Sequence, residues 1–263
     1  MSCASIGLVD WRLPVSGPDA VLLAAQLGAE GIQMDLGGPG RAPWLDEKVR
    51  LQSVYKALVK SRISPLAISA NIINDIGLTA VEGTLLADEV KTVIIRALNV
   101  AVELGVSLVF LPSFRRSAIY SPLTFSRTAE VLQWACEKAH IRGLLLATEN
   151  VLAPKKLLQL IESVNACNLR IVLDTGNPLS AGLNPVDILK TAADFLATQV
   201  HIKKHNEQAS LNEDDTVVKN VFGELNRINF AVEAFVLEND YRNGDLNRIL
   251  SDIKWIGNFF NNG

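Results

Sequence analysis

The chain has 263 residues, 49% of them hydrophobic, which is enough to bury one large core. Its formal charge is only -3, and basic residues gather only in short local pairs such as Arg115–Arg116 and Lys203–Lys204, so nucleic acid is not the expected partner. The longest apolar stretch, near Val90 to Leu111, is broken by Lys91, Arg96, Asn99 and Glu103, which argues against a membrane span.

From the amino terminus, MSCASIGLVDW lacks a basic segment ahead of an apolar run, so no secretory signal is expected. The first strand is predicted at SIGLV, followed by a helix over Ser16–Gly28 with Pro18 near its start and glycine at its end. GIQMDL is the second strand and Asp46–Lys60 an amphipathic helix. PLAIS is the third, followed by a long helical pattern over Leu78–Leu104 that exceeds one ordinary helix and suggests a break or an extra turn. Then come LVFLP and a helix over Thr124–His140, GLLLAT and Pro154–Val164, and RIVLD and Pro185–Leu196. TQVHI with Asp215–Leu225 and AVEAFVL with Asp245–Phe259 complete the series.

Eight leucine-rich and β-branched strands with little alternation fit a parallel sheet covered on both faces. The expected fold is therefore α/β, a single (β/α)8 TIM barrel of about 250 residues. No Pro-, Gly- or Ser-rich linker divides the chain, so residues 1–263 read as one domain. Cys3, Cys136 and Cys167 are odd in number and widely spaced, which argues against a disulfide framework and for a reducing, cytoplasmic setting.

Four metal-ligand types stand at the carboxyl ends of strands five to eight: Glu149, Asp174, His201 and Glu238, separated by 25, 27 and 37 residues. Each interval suits one strand–helix unit, and a barrel gathers its strand ends at one face. A single acid at a strand end is usually an ion-pair or loop-capping partner; four on consecutive strands at the same end favour chemistry. Three carboxylates and an imidazole, with no thiolate, suit one divalent ion, Mn²⁺, Mg²⁺ or Zn²⁺, and leave a net charge near -1 with it. Such an ion would polarise a sugar carbonyl, and two opposed glutamates, Glu149 and Glu238, would supply the base and acid of an isomerisation or epimerisation through a stabilised enediolate.

The loops after strands two, three, four and seven hold further candidates. Asp35, Asn71 and Ser113 suit either substrate hydroxyls or turn formation. Arg115, Arg116, Lys203 and Lys204 suit either an anionic substrate group or solvated charge. Trp11 and Trp44 suit either a wall for a sugar face or plain packing. His205 reads as solvated and His140 as the end of a helix.

The succession ATEN, LDTGN, VHIKK and VLEN resembles the sugar phosphate isomerase/epimerase superfamily, the xylose isomerase-like barrels, over nearly the whole chain. That resemblance implies one metal held by Glu149, Asp174, His201 and Glu238, with Glu149 and Glu238 as the acid/base pair and a small carbohydrate as substrate. Many members carry histidine where this chain has Asn177 and Gln199, and an acid where it has Lys204. The lysine points to an anionic sugar, and Asn177, Lys203 and Lys204 join Asn71 and Ser113 as candidate substrate contacts. A homo-oligomer is expected from the resemblance alone. The same barrel also resembles dehydroshikimate dehydratase, so a metal-dependent lyase is the alternative, with a non-catalytic ligand-binding barrel behind it. Endonuclease IV-like enzymes share the architecture, but their multi-zinc centre needs several histidines and this chain has three in all.

Overall fold

The computed structural model describes residues 4–212 and 214–261. Its strands are β1 (Ser5–Val9), β2 (Gly31–Asp35), β3 (Ser64–Ser69), β4 (Leu108–Pro112), β5 (Leu145–Glu149), β6 (Leu169–Asp174), β7 (Leu196–Ile202) and β8 (Ala234–Leu237), ordered as a closed barrel from β1 to β8. The pairs β1–β2, β3–β4, β4–β5, β5–β6, β7–β8 and β8–β1 run parallel. This is the (β/α)8 barrel expected from the sequence. The register sets Glu149 opposite Pro112 and Ile202 opposite Leu237, which aligns the carboxyl ends of those strands. β4 and β8 are buried at every residue and their apolar runs are continuous rather than alternating, whereas β2 is equally buried but carries the polar Gln33 and Asp35.

The helices are α1 (Pro18–Gln26), α2 (Lys48–Ser61), α3 (Ile73–Ile76), α4 (Leu85–Leu104), α5 (Pro122–His140), α6 (Pro154–Val164), α7 (Asn177–Ser180), α8 (Pro185–Ala192), α9 (Thr216–Arg227) and α10 (Leu246–Asn261). Pro18, Pro154 and Pro185 occupy first-turn positions, where a missing N–H costs nothing. The pattern over Leu78–Leu104 resolves into α4 alone. Gly77 (φ 110°) ends α3, Gly83 (φ 78°) turns the chain, and Thr84 caps α4 by accepting from the Ala87 N–H. Apolar spacing extended the expected helix upstream; the backbone at these glycines overrides it. The helix expected to reach Leu196 stops at Ala192 and tightens to a 3-10 turn over Ala193–Phe195, and β7 begins at Leu196, two residues earlier than read.

Two compact units account for the packing. One contains the chain up to Met34, Gln52–Leu66 and everything from Val172, and so holds β1, β7 and β8. Within it Val9, Ala234 and Val236 form a cluster with Trp11 and Leu66 against it. Gly7 and Gly31 sit in register here, and a Cβ on them would fall 2.5 and 2.7 Å from Leu66 Cδ1, so glycine at both leaves room for that side chain. The other unit contains Asp35–Leu51 and Ala67–Ile171. Its long α4 buries Val90, Val93, Ile94, Ala97, Leu98 and Ala101 along one face.

Cys136 and Cys167 are free thiols, the first buried and the second exposed; Cys3 lies outside the described residues. Burial, with Cys167 and Glu137 adding to it, pushes the Cys136 thiol up to about 12, so it carries almost no thiolate at neutral pH. Iodoacetamide at pH 8 should therefore modify Cys167 and spare Cys136 until denaturant is added; mapping the alkylated peptides checks this. Among the described residues no helix is long and apolar enough to cross a membrane.

Candidate metal centre

Glu149 is the last residue of β5, Asp174 the last of β6, His201 the penultimate residue of β7, and Glu238 directly follows β8. All four are buried, and one ligand atom from each lies within 4.8 Å of the others. Two ligands of one ion at about 2.1 Å stand at most about 4.2 Å apart, so a contraction of about half an ångström closes the set around a divalent cation. Oxygen and imidazole donors without sulfur fit Mn²⁺, Mg²⁺ or Zn²⁺.

Asp174, Glu238 and His201 are each fixed by neighbouring groups. Asp174 Oδ1 accepts the backbone N–H groups of Gly176 (2.7 Å) and Asn177 (2.5 Å), the side-chain turn expected of an aspartate at a strand end. Its Oδ2 faces the Lys203 ammonium at 3.6 Å. Glu238 Oε1 accepts the Trp11 indole N–H at 2.9 Å, and Oε2 lies 3.1 Å from Lys203 Nζ and 3.2 Å from His201 Nδ1. His201 Nε2 lies 2.9 Å from Gln33 Oε1. Carbonyl oxygens only accept, so Nε2 carries the proton and Nδ1 is the nitrogen turned to the carboxylates.

Lys203 changes the electrostatics inferred from the sequence. Its side chain is 2% exposed, with Nζ also 3.7 Å from Glu207 Oε1. Thr175 fixes its backbone, the hydroxyl donating to Lys203 O and accepting from Lys203 N, each at 2.8 Å. Gly176 leaves space for it: a Cβ there would sit 2.9 Å from Lys203 Cγ. Three carboxylates, this ammonium, a neutral imidazole and one divalent ion sum to no net charge, which corrects the expected -1. A buried site tolerates charge only when it is so balanced.

Burial works to raise the Glu238 pKa, but Lys203, His201 and Arg12 outweigh it and hold the carboxyl well below the usual range. At Asp174 burial prevails over Lys203, with the Glu238 charge adding to it, and the carboxyl is raised. The two acids thus differ in environment: Glu238 is compensated on both oxygens, whereas Asp174 meets Lys203 only at 3.6 Å. A bound divalent ion lowers any carboxylate it touches.

The other candidates separate clearly. Asn71 and Ser113 are both buried. Asn71 N donates to Asp35 Oδ1 at 3.2 Å, and burial raises the Asp35 carboxyl despite Arg41 beside it. Ser113 N donates to Glu149 O at 2.8 Å, while its hydroxyl is buried with no hydrogen-bond partner among the described residues. Asn177 contributes its backbone N–H to Asp174. The Lys204 ammonium pairs with Asp215 Oδ1 at 3.0 Å and donates to Ser210 O at 3.2 Å, so its charge is used within its own loop. Arg115 pairs with Asp75 and stays exposed, as do Arg116, His140 and His205. Trp44 stacks on the Arg96 guanidinium at 3.7 Å rather than standing as a wall.

Three participants were not assigned these roles by sequence reasoning: the Trp11 indole as a donor to Glu238, and the amides of Gln33 and Gln199. A signal existed for the last two. Each is a polar residue two positions before an acid or imidazole on the same strand, Gln33 before Asp35 and Gln199 before His201, and residues two apart share a face.

Comparison with known proteins agrees with the barrel fold. The profile described as "Xylose isomerase-like TIM barrel" matches residues 21–259. A 2-epi-5-epi-valiolone 7-phosphate 2-epimerase from Actinoplanes sp. is 39% identical over 259 residues, covering 97% of this chain and 94% of that protein. Among solved structures, L-ribulose 3-epimerase superposes with a TM-score of 0.79 at 16% identity, covering 99% of this chain and 95% of the other. D-allulose 3-epimerase from Methylomonas sp. in complex with D-allulose superposes with a TM-score of 0.73 at 16% identity, covering 97% and 96%. These two likenesses concern the fold. By the profile match and by its identity to the epimerase, the chain belongs to the xylose isomerase-like TIM barrel family.

Proposed function

We propose that this protein is a divalent-metal-dependent epimerase that inverts a stereocentre beside the ketone of a phosphorylated polyhydroxy substrate, of the kind named for its 39% identical relative, 2-epi-5-epi-valiolone 7-phosphate. The observation that carries the reading is the convergence of Glu149, Asp174, His201 and Glu238 within 4.8 Å. The activity for which the relative is named, with the likeness running over nearly the full length of both chains, supports the substrate class.

When bound, a Mn²⁺, Mg²⁺ or Zn²⁺ ion held by those four residues supplies Lewis-acid polarisation of a carbonyl oxygen, which acidifies the adjacent C–H. The remaining work falls to the chain's own groups. Trp11 and Lys203 each hold one oxygen of Glu238, so this carboxylate keeps its orientation and stays ionised, ready to take a proton from carbon. Glu149, three strands away in barrel order, returns a proton to the opposite face; the two exchange roles in the reverse direction. Asn71, Ser113 and Asn177 contact substrate hydroxyls. The buried Ser113 hydroxyl is the strongest of these, since a ligand hydroxyl would satisfy it. Lys203 serves the carboxylates rather than the substrate. The whole chain forms one domain on this reading.

The test is incubation of the Mn²⁺-loaded protein with 2-epi-5-epi-valiolone 7-phosphate in D₂O, followed by proton and phosphorus NMR. The expected product is the C2 epimer carrying one deuterium at that carbon. An unsaturated product absorbing in the ultraviolet would replace the epimerase by the dehydratase alternative. Absence of exchange with this substrate and with D-allulose, under conditions where metal binds, would leave a binding protein.

A further inference from the structure

We infer that a directional chain of amides, Leu66 O to Gln199 to Gln33 to His201, selects Nδ1 of His201 as the metal-ligating nitrogen, with Gln33 and Gln199 as positioning residues. The consequence for ligation rests on the metal-centre reading; the direction of the chain does not.

The direction follows from its far end. Gln199 Nε2 donates to the Leu66 backbone carbonyl at 2.8 Å, and that carbonyl can only accept. Gln199 must therefore turn its NH₂ to Leu66 and its Oε1 to Gln33. Gln33 Nε2 donates to that oxygen at 2.8 Å, which commits Gln33 Oε1 to face His201 Nε2 at 2.9 Å. His201 Nε2 is thereby the protonated nitrogen. Turning Gln33 alone would set its oxygen against the Gln199 oxygen; turning both amides would set the Gln199 oxygen against the Leu66 oxygen. Gln33, Gln199 and His201 are buried, so water does not offer either amide an easy substitute.

What remains on the imidazole is Nδ1, 3.2 Å from Glu238 Oε2 and inside the ligand cluster. Whether a proton or a cation occupies Nδ1, Nε2 keeps its own proton. Outer hydrogen-bond partners of this type fix the tautomer and ring orientation of metal-bound histidines, and losing them typically costs about 10- to 100-fold in metal affinity.

The experiment uses ¹⁵N-labelled full-length protein, in which only His140, His201 and His205 contribute imidazole signals, the His201→Ala spectrum giving the assignment. Long-range proton–nitrogen correlation spectra are recorded after chelation and again with Zn²⁺. The expected result is a protonated Nε2 in both states, with the Zn²⁺-induced shift confined to Nδ1. Gln33→Met should weaken Zn²⁺ binding about 10- to 100-fold and give a mixture of tautomers after chelation. Gln199→Met, which releases the amide of Gln33 without removing it, should give a smaller loss. An unprotonated Nε2 in the chelated parent, or a Zn²⁺ shift at Nε2, overturns the inference even if neither variant folds. Unchanged Zn²⁺ affinity in a folded Gln33→Met protein also overturns it. A protonated Nε2 with no Zn²⁺ response at either nitrogen supports the amide direction and contradicts the metal-centre reading instead.

Discussion

Replacing Glu238 by glutamine should slow epimerisation by at least about 10³-fold while leaving the fold in place. The side chain is a proposed ligand and a proposed base at once, and the change keeps its volume while removing its charge. Oε1 would still accept from the Trp11 indole. The amide nitrogen, however, would meet the Lys203 ammonium and the His201 imidazole, which now lie 3.1 and 3.2 Å from Oε2. Lys203 loses its counter-charge and the site loses one anionic ligand, so metal affinity should fall together with the rate constant. Steady-state kinetics at saturating metal separates the two effects: a fall in kcat that added Mn²⁺ does not repair marks the loss of the base. Full recovery with Mn²⁺ would limit Glu238 to ligation.

The second large effect is on stability. Lys203→Met removes the buried ammonium that lies 3.1 Å from Glu238 Oε2 and 3.6 Å from Asp174 Oδ2. Removing one partner of a buried ion pair typically costs about 3–5 kcal/mol, because the remaining charge stays buried without compensation. The chelated variant should therefore unfold at clearly lower denaturant than the chelated parent. A divalent ion restores much of the balance, so saturating Mn²⁺ should stabilise the variant more than it stabilises the parent. Ligand-linked stabilisation grows as RT ln(1 + [L]/Kd), so the two denaturation midpoints should converge as the metal concentration rises. Equal midpoints for the chelated proteins would show that Lys203 does not compensate the acids. Equal shifts with Mn²⁺ would separate Lys203 from the metal site.

Much of the architecture was legible because a parallel barrel writes its repeat plainly: apolar runs, helical spacing, and Pro or Gly at helix ends. The four candidate ligands were legible for the same reason, since each stands at the carboxyl end of an apolar run. What escaped depends on contacts across the barrel. Nothing local pairs Gln33 with His201, 168 residues away, or Trp11 with Glu238, 227 away. In the sequence Lys203 reads as either an anion contact of the substrate or solvated charge; Thr175 and Gly176 turn it inward to the carboxylates instead. Lys204, one residue on, reads the same way, yet its charge pairs with Asp215 and so gives no support to an anionic substrate. That idea now rests on the phosphate named in the 39% identical relative. The start of α4 was misplaced because hydrophobic spacing continues through Leu78, whereas Gly77 and Gly83 adopt positive φ.

Whether Glu149, Asp174, His201 and Glu238 hold one metal ion is read from calorimetric titration of Mn²⁺ into chelator-treated protein, beside the His201→Ala variant. One ion should bind per chain of the parent, and binding should be lost in the variant. A folded parent that binds neither Mn²⁺, Zn²⁺ nor Mg²⁺, or a variant that binds as the parent does, would contradict that reading.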